Sequence, residues 1–350
     1  TGLSASNGTK KDWVNMKTAF FQSFEDSSDR EETPFRLSMV QAELKKNSLS
    51  GYLVPRSDVH QGEYVAACDE RLSWLTGFTG SAGICIVGKD RAGIFVDGRY
   101  SIQAKKQTKS PFEVIQWDKK NFFHWIEKNI VKGKIGFDPW LHSHKEIFLL
   151  SEEFANSGIS FAPSDNLIEK VWMNRPAKTS NKVMKYPVEL AGLSAREKCQ
   201  KIAEKIRFRK ANSAVITLPD SIAWLLNLRG NDVIHNPILH AFLIIDSGGY
   251  VKIFSRNQSL INCISNLKDF VKVYPVENFE TILAELTGSV LMDETTAPFA
   301  AVKILQANGS ETIMGEDPII LPKACKNPVE LRHARICHKR DAVHMCEFLS

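Results

Sequence analysis

Ala214-Val215-Ile216-Thr217-Leu218, followed by Trp224-Leu225-Leu226-Asn227-Leu228-Arg229-Gly230, answers an earlier pair of segments, Tyr52-Leu53-Val54 and Trp74-Leu75-Thr76-Gly77-Phe78. The two tryptophans stand 150 residues apart, and the segments around them match as well, so the chain carries an internal duplication. In each copy a helix precedes the strand. Thr33 and Pro34 suit an N-cap and a first helical turn, with Leu37, Val40 and Leu44 as the apolar stripe. Ser194 and Glu197 have capping-box spacing, with Ile202 and Ile206 as the stripe. Each Trp-centred segment reads as a turn. A hairpin follows in both copies, 84–87 with 94–96 and 242–245 with 251–254. Then come a strand, a helix and a strand: 112–117, 120–130 and 134–137 match 271–274, 279–286 and 289–292. Both last strands end in an aspartate, Asp138 and Asp293. Strands alternating with helices around one central hairpin imply an α/β fold with a mixed sheet, built twice in tandem, with residues 174–187 as the linker.

Composition narrows the function. Apolar residues make up 43% and charged residues 24% of the 350, which is globular material. The net charge is only +5 and no dense Lys/Arg tract occurs, so nucleic acid is not an expected partner. No apolar run approaches a membrane span. The seven cysteines are odd in number and form no C-x-x-C pair, which reads as reduced thiols in the cytoplasm. His142 and His144, and the spread His333, Cys337, His338 and His344, lack the i, i+4 pairing of imidazoles on one helix face and read as surface residues. Gly77, Gly80 and Gly83 do not form a phosphate-binding fingerprint and read as tight turns. Residues 1–15 lack the apolar core of a secretory signal, Met16 is a candidate native start, and 1–32 are expected to be a partly unstructured leader.

Three features lie outside the repeat or stand out within it. The first copy has an insert, Val59-His60-Gln61-Gly62-Glu63-Tyr64-Val65-Ala66-Ala67-Cys68-Asp69-Glu70-Arg71, and loops on a rigid scaffold are where function collects. Asp97-Gly98-Arg99-Tyr100 follows a strand, where ligands gather in open α/β sheets. Arg99 offers a planar fork suited to a carboxylate or a peptide carbonyl; alternatively it pairs locally with Asp97 or with another domain. His235 is a lone loop histidine, structural or solvated. The tail opens with Asn327, Pro328 and Glu330 in N-terminal helix positions, and Val329, Ile336 and Val343 recur every seven residues. This reads as an amphipathic helix running to Ser350, cut off rather than naturally ended. With no G-x-S-x-G or H-E-x-x-H present, no catalytic centre is self-evident.

Several motifs together resemble the cytosolic three-domain Xaa-Pro aminopeptidases (aminopeptidase P). They are Gly51-Tyr-Leu-Val-Pro, Asp58-Val-His-Gln-Gly-Glu-Tyr64, Trp74-Leu-Thr-Gly-Phe-Thr-Gly-Ser-Ala-Gly83 and Asp97-Gly-Arg-Tyr100. They continue with Asn166-Leu-Ile-Glu-Lys-Val-Trp172, Arg175-Pro176, Ile222-Ala-Trp-Leu-Leu-Asn-Leu-Arg-Gly-Asn-Asp-Val-Ile-His-Asn-Pro237 and Lys339-Arg-Asp-Ala-Val343. The resemblance implies two creatinase/prolidase N-terminal-like domains, over 33–163 and 164–322, and then, over 323–350, the first helix of a "pita-bread" catalytic domain. That domain holds two divalent metals, usually Mn2+, through two Asp, one His and two Glu, and the metals activate the water that cleaves the bond before proline. Those ligands would all lie beyond Ser350, so the chain contains no metal ligand or catalytic residue and is expected to be inactive alone. The resemblance further implies that Arg99 reaches the peptide-binding site, that Asp97 and Tyr100 hold its loop, and that His60 lies near the entrance. Expected partners are short peptides with proline second, and a second copy of the chain through the catalytic domain; the location is cytoplasmic.

Two alternatives differ in what they require. A non-catalytic protein-binding module built from creatinase-like domains has no need of a substrate arginine. The creatinase branch, which acts on guanidino compounds, has one such domain before its catalytic domain instead of two.

Overall fold

The computed structural model describes residues 28–178, 180–257 and 259–350. The candidate start at Met16 and residues 1–15 lie outside the described residues. The first lobe runs α1 (Thr33–Lys46), β1 (Gly51–Pro55), α2 (Arg71–Thr76), β2 (Gly83–Gly88), β3 (Ala92–Val96), α3 (Ser101–Gln107), β4 (Phe112–Gln116), α4 (Lys119–Asn129), β5 (Gly133–Phe137), α5 (His144–Glu153), β6 (Ile159–Pro163) and α6 (Leu167–Val171). The second runs β7 (Met184–Lys185), α7 (Val188–Ala191), α8 (Ala195–Phe208), β8 (Ser213–Ile216), α9 (Pro219–Leu225), β9 (Leu228–Arg229), β10 (Ala241–Asp246), β11 (Val251–Ser255), α10 (Leu260–Cys263), β12 (Val271–Tyr274), α11 (Phe279–Ala284), β13 (Ser289–Met292), α12 (Phe299–Ala307), β14 (Glu311–Met314) and α13 (Ile320–Ala324), and α14 (Pro328–Leu349) follows.

The duplication holds at the level of strand order. The first sheet is β4-β3-β2-β1-β5-β6 and the second β12-β11-β10-β8-β13-β14. In each, the two central hairpin contacts are antiparallel and the three outer pairings parallel, which makes both sheets mixed. Both faces of each sheet are covered. Tyr52 and Val54 of β1 join the α1 stripe of Leu37, Val40 and Leu44, while Leu53 points to the other face with Phe122 and Ile126 of α4. In the second lobe Ala214 and Ile216 meet Ile202 and Ile206, and Val215 meets Phe279 and Val302.

Trp74 and Trp224 sit on short helices, not in the expected turns. In each lobe a cation from the long helix ahead of the central strand, α1 or α8, stabilises that helical turn. Arg36 lies 5.2 Å from the Trp74 ring centroid, and its Nη1 donates to the Trp74 carbonyl at 2.8 Å. Lys198 lies 4.1 Å from the Trp224 centroid, and its Nζ donates to the Trp224 carbonyl at 2.9 Å and to Asn227 Oδ1 at 2.7 Å. A positive charge near the last carbonyls of a helix satisfies them and opposes the helix dipole, and the ring face adds a cation–π contact. Lys198 is 1% exposed, and burial pushes its ammonium down to about 8.

The lobes meet through equivalent loops, those after β5 and β13. Ser143 bridges Pro298. The His144 N–H donates to the Ala297 carbonyl at 3.1 Å, and the Phe299 N–H donates to the His142 carbonyl at 2.9 Å. The Lys145 N–H reaches Glu294 at 3.0 Å, and the Ala300 N–H reaches Pro139 at 2.9 Å. Each bond has its counterpart 155 residues on with the roles exchanged, so a local two-fold relation joins the copies.

The segments between and around the lobes are tied down. Residues 164–173, expected in the second domain, pack with the first, because Leu167, Ile168 and Trp172 complete its core. The expected linker is docked on the second lobe: the Asn181 N–H donates to Asp232 Oδ1 at 2.9 Å and Val183 is buried. At the end of the expected leader, Ser28 donates to the Gly77 carbonyl at 2.6 Å and Arg30 to the Lys106 carbonyl at 2.7 Å. Helix α14 has the expected capping box between Asn327 and Glu330, and Asn327 donates to the Ala191 carbonyl at 2.8 Å. Beyond that anchor the helix buries no residue, and Ile336 and Val343 remain about half exposed.

Replacing Lys198 with Ala leaves the Trp224 carbonyl and Asn227 without their charged donor, so the loss in stability is expected to be roughly 1.5–3 kcal/mol. Urea unfolding, followed by circular dichroism in wild type and variant, checks it.

Candidate functional site

Asp97 organises the loop that follows β3. Its Oδ1 accepts the Arg99 backbone N–H and the Arg99 Nε–H, both at 2.9 Å, around a single 3-10 turn. The Arg99 guanidinium rides 5.4 Å from the centre of the Tyr100 ring, and the Tyr100 hydroxyl bonds Ser81 Oγ at 2.6 Å. The hydrogen bond from Arg99 holds the Asp97 carboxyl below its ordinary range, and Asp97 in turn raises the guanidinium. Arg99 is thus paired locally, but only through Nε. Its side chain is 70% exposed, and among the described residues nothing bonds its Nη groups.

A groove of about 340 Å³ opens beside this loop at the carboxyl ends of β1 and β3, lined by Arg56, Phe95, Asp97, Trp117, Leu141 and Glu146. Arg56 is already engaged, donating to the Glu63 carbonyl at 2.7 Å and to Glu70 Oε1 at 3.1 Å. It fastens the insert to the end of the sheet. A second fastening is ionic: Arg71 bonds Asp69 at 2.8 Å and Glu169 at 2.6 Å, and Arg175 reaches the same two carboxylates. These arginines are mostly buried, and each carboxylate is shared between two of them, which offsets the cost of desolvation.

The insert faces two ways. Gln61 and Gly62 line the groove beside Asp97, whereas His60, with Asp58 just ahead of the insert, lines a cavity of about 440 Å³ between the lobes. His60 is 4% exposed. Its Nδ1 lies 3.0 Å from the Thr217 carbonyl of the second lobe, and its ring stacks on His240 at 5.0 Å and against Phe242 at 4.6 Å. Burial pushes the His60 imidazole down to about 4, although the nearby Asp58 pulls the other way. The structure therefore brings Asp97, Arg99 and Tyr100 together and places His60 in a different cavity. His240 was not singled out from sequence; its only signal is a polar residue just before the buried strand β10.

The remaining histidines divide. His142 is not a surface residue but wholly buried: its carbonyl is committed to the seam between the lobes, and its ring lies edge-on to Phe137, with Nδ1 3.1 Å from the Glu146 carboxylate. His144 is half-buried and stacks on Phe299. His235 is exposed in its loop, as are His338 and His344 on α14. No three His, Cys, Asp or Glu side chains among the described residues come together to hold a metal, so these residues do not fit a metal centre. The seven cysteines are unpaired. No helix among the described residues is long and apolar enough to cross a membrane.

Models of the creatinase/prolidase N-terminal domain match the chain twice, over residues 36–173 and over 174–330. The chain belongs to this family. Its creatinase-type lobes are 35% identical over 335 residues to a probable Xaa-Pro aminopeptidase P of Coccidioides posadasii, covering 91% of this chain and 51% of the relative. A probable Xaa-Pro aminopeptidase P of Ajellomyces dermatitidis is 34% identical, with 91% and 55% covered. Among solved structures, the X-prolyl aminopeptidase of Caenorhabditis elegans, described as a cytosolic enzyme with a di-nuclear active site, aligns with a TM-score of 0.83 at 26% identity, covering 91% of this chain and 55% of that one. The chain spans about half the length of the curated relatives it matches.

His60 gives the lobe junction a pH dependence whose sign is fixed. Folding depresses its pKa from about 6.5 to about 4, so between these values the unfolded chain binds more protons than the folded one. Stability should therefore be level above pH 6.5 and fall as the pH drops toward 4. Asp317, pushed up to about 6 by burial, contributes with the opposite sign. The difference in melting temperature between wild type and His60→Ala, followed from pH 7.5 to 4.5, isolates the histidine. It should shrink on acidification, and a constant difference contradicts the assignment.

Proposed function

We propose that this chain is the N-terminal portion of an Xaa-Pro aminopeptidase, a hydrolase that removes the first residue from peptides with proline second. Its two domains divide near residue 173, and 323–350 begin the catalytic domain. The two divalent metals, manganese in this reading, belong to Asp, Asp, His, Glu and Glu residues of that domain, in a cytoplasmic homodimer. The observation that carries the reading is Arg99. Asp97 holds its Nε, which leaves the outer fork of N–H donors free, and Asp97 itself lines the adjoining groove of about 340 Å³. Two parallel N–H groups match a carboxylate or a pair of carbonyl lone pairs. Proline offers no N–H of its own, so recognition of an Xaa-Pro peptide leans on donors that the protein supplies.

In the full-length enzyme, Arg99→Ala should lower kcat/KM for an Xaa-Pro tripeptide by roughly ten- to a hundredfold, as for a charged hydrogen bond lost in the transition state. Its melting temperature should stay put, since the side chain is largely exposed. Unchanged kinetics would remove Arg99 from the peptide site. The 350-residue chain by itself should not cleave a proline-containing tripeptide even with added manganese; turnover by it overturns the division of labour between the two halves.

A further inference from the structure

The cavity between the lobes leaves polar atoms of Asp58 and His60 that neither the fold nor the peptidase reading uses. Asp58 is 2% exposed, yet among the described residues no lysine or arginine pairs with it. Its Oδ1 accepts the backbone N–H groups of His60 at 2.9 Å and Gly62 at 3.1 Å. Its Oδ2 has only His240 Nε2, at 3.5 Å and outside hydrogen-bond geometry. His60 is held in one tautomer: the Thr217 carbonyl requires a proton on Nδ1, so Nε2 is an acceptor, and no described residue donates to it. A buried carboxylate without a cation and an imidazole nitrogen without a donor therefore line the same space. Buried groups of this kind are costly unless something meets them.

The walls narrow the choice of ligand. Phe242 and Phe279 stack at 4.3 Å, and the half-buried Trp140 leans on both, so one side of the cavity is aromatic. At the mouth Arg256 is paired with Glu277 at 2.8 Å, and Glu280 and Lys178 carry opposite charges. The absence of a third converging ligand among the described residues disfavours a metal ion. A carboxylate, a neutral imidazole acceptor and aromatic faces suit an organic cation that brings N–H donors.

We propose that the inter-lobe cavity binds an alkylammonium or guanidinium group, seated on Asp58 and His60 against Trp140. Such a group is the end of a lysine or arginine side chain and equally of a free amine. This site stands apart from the groove beside Asp97 and does not depend on the peptidase reading.

Isothermal titration of the 350-residue chain at pH 7.5 tests it with butylammonium, with butanol as the uncharged match, and with the tripeptides Gly-Lys-Gly and Gly-Gly-Gly, both N-acetylated and C-amidated so that the lysine side chain is the sole charge. Butylammonium should bind saturably, with a dissociation constant on the order of millimolar, and butanol should not. Asp58→Asn should weaken binding roughly tenfold. Because Asp58 also holds the insert, Glu280→Gln serves as a second variant at the exposed rim, expected to weaken binding two- to threefold by lost Coulomb attraction. Stronger binding of Gly-Lys-Gly than of butylammonium, with none of Gly-Gly-Gly, assigns the cation to a peptide side chain; the reverse order assigns it to a free amine. Equal binding of butanol and butylammonium, no binding of either cation, or a folded Asp58→Asn that binds as wild type overturns the site.

Discussion

Four reciprocal backbone hydrogen bonds between the loops after β5 and β13 are what the rest of the molecule depends on. Each donor in one lobe has its equivalent as donor in the other, so neither lobe can slide without breaking bonds in pairs. The loops are shaped for this by the aspartates that end the strands. Asp138 Oδ1 accepts the Trp140 N–H at 2.9 Å, and Asp293 Oδ1 accepts the Thr295 N–H at 2.9 Å. Their other oxygens reach later chain, Asn166 Nδ2 at 2.8 Å in the first lobe and the Asp317 N–H at 3.0 Å in the second. Each aspartate thus curls its loop and clamps it to the following segment, and the two curls fit together as one self-complementary surface.

A symmetric seam between two copies holds the lobes in place and offers no special site. The insert of the first lobe breaks the symmetry. It is fastened at its own end by Arg56, Arg71 and Arg175, and it crosses to the second lobe at His60. The cavity between the lobes owes His60 to this crossing, and the groove beside Asp97 owes the insert Gln61 and Gly62.

How far the sequence reveals this depends on the range of the forces involved. The stripes of α1 and α8 and the succession of strands along the chain are legible because burial of alternate or every third to fourth residue writes itself into the local pattern. The turns assigned around Trp74 and Trp224 are helical instead, because the stabilising cations come from Arg36 and Lys198, well upstream, and no local signal announces them. The seam is invisible since it is made of backbone groups, which any side chain would permit. His142 looks like a surface histidine for the same reason: what buries it is the other lobe. At the candidate site, Asp97-Gly98-Arg99-Tyr100 was legible as a unit because its contacts are local, while the partner of His60, His240, is 180 residues away.

The contrast among the arginines gives Arg99 its place. Arg56 and Arg71 are nearly buried and spread their donors over several acceptors, as a structural guanidinium must when it leaves water. Arg99 is exposed and uses one of its donors. An arginine that merely closed a local ion pair in solvent would contribute little, and it would not need both a carboxylate beneath it and a tyrosine ring alongside. Asp97 and Tyr100 restrict the side chain from two directions and leave its far edge open, so the entropy of ordering it is lost before any ligand arrives. A fork held in this way loses less on binding than a free one, which is the physical reason to place a ligand's oxygen atoms at its outer edge.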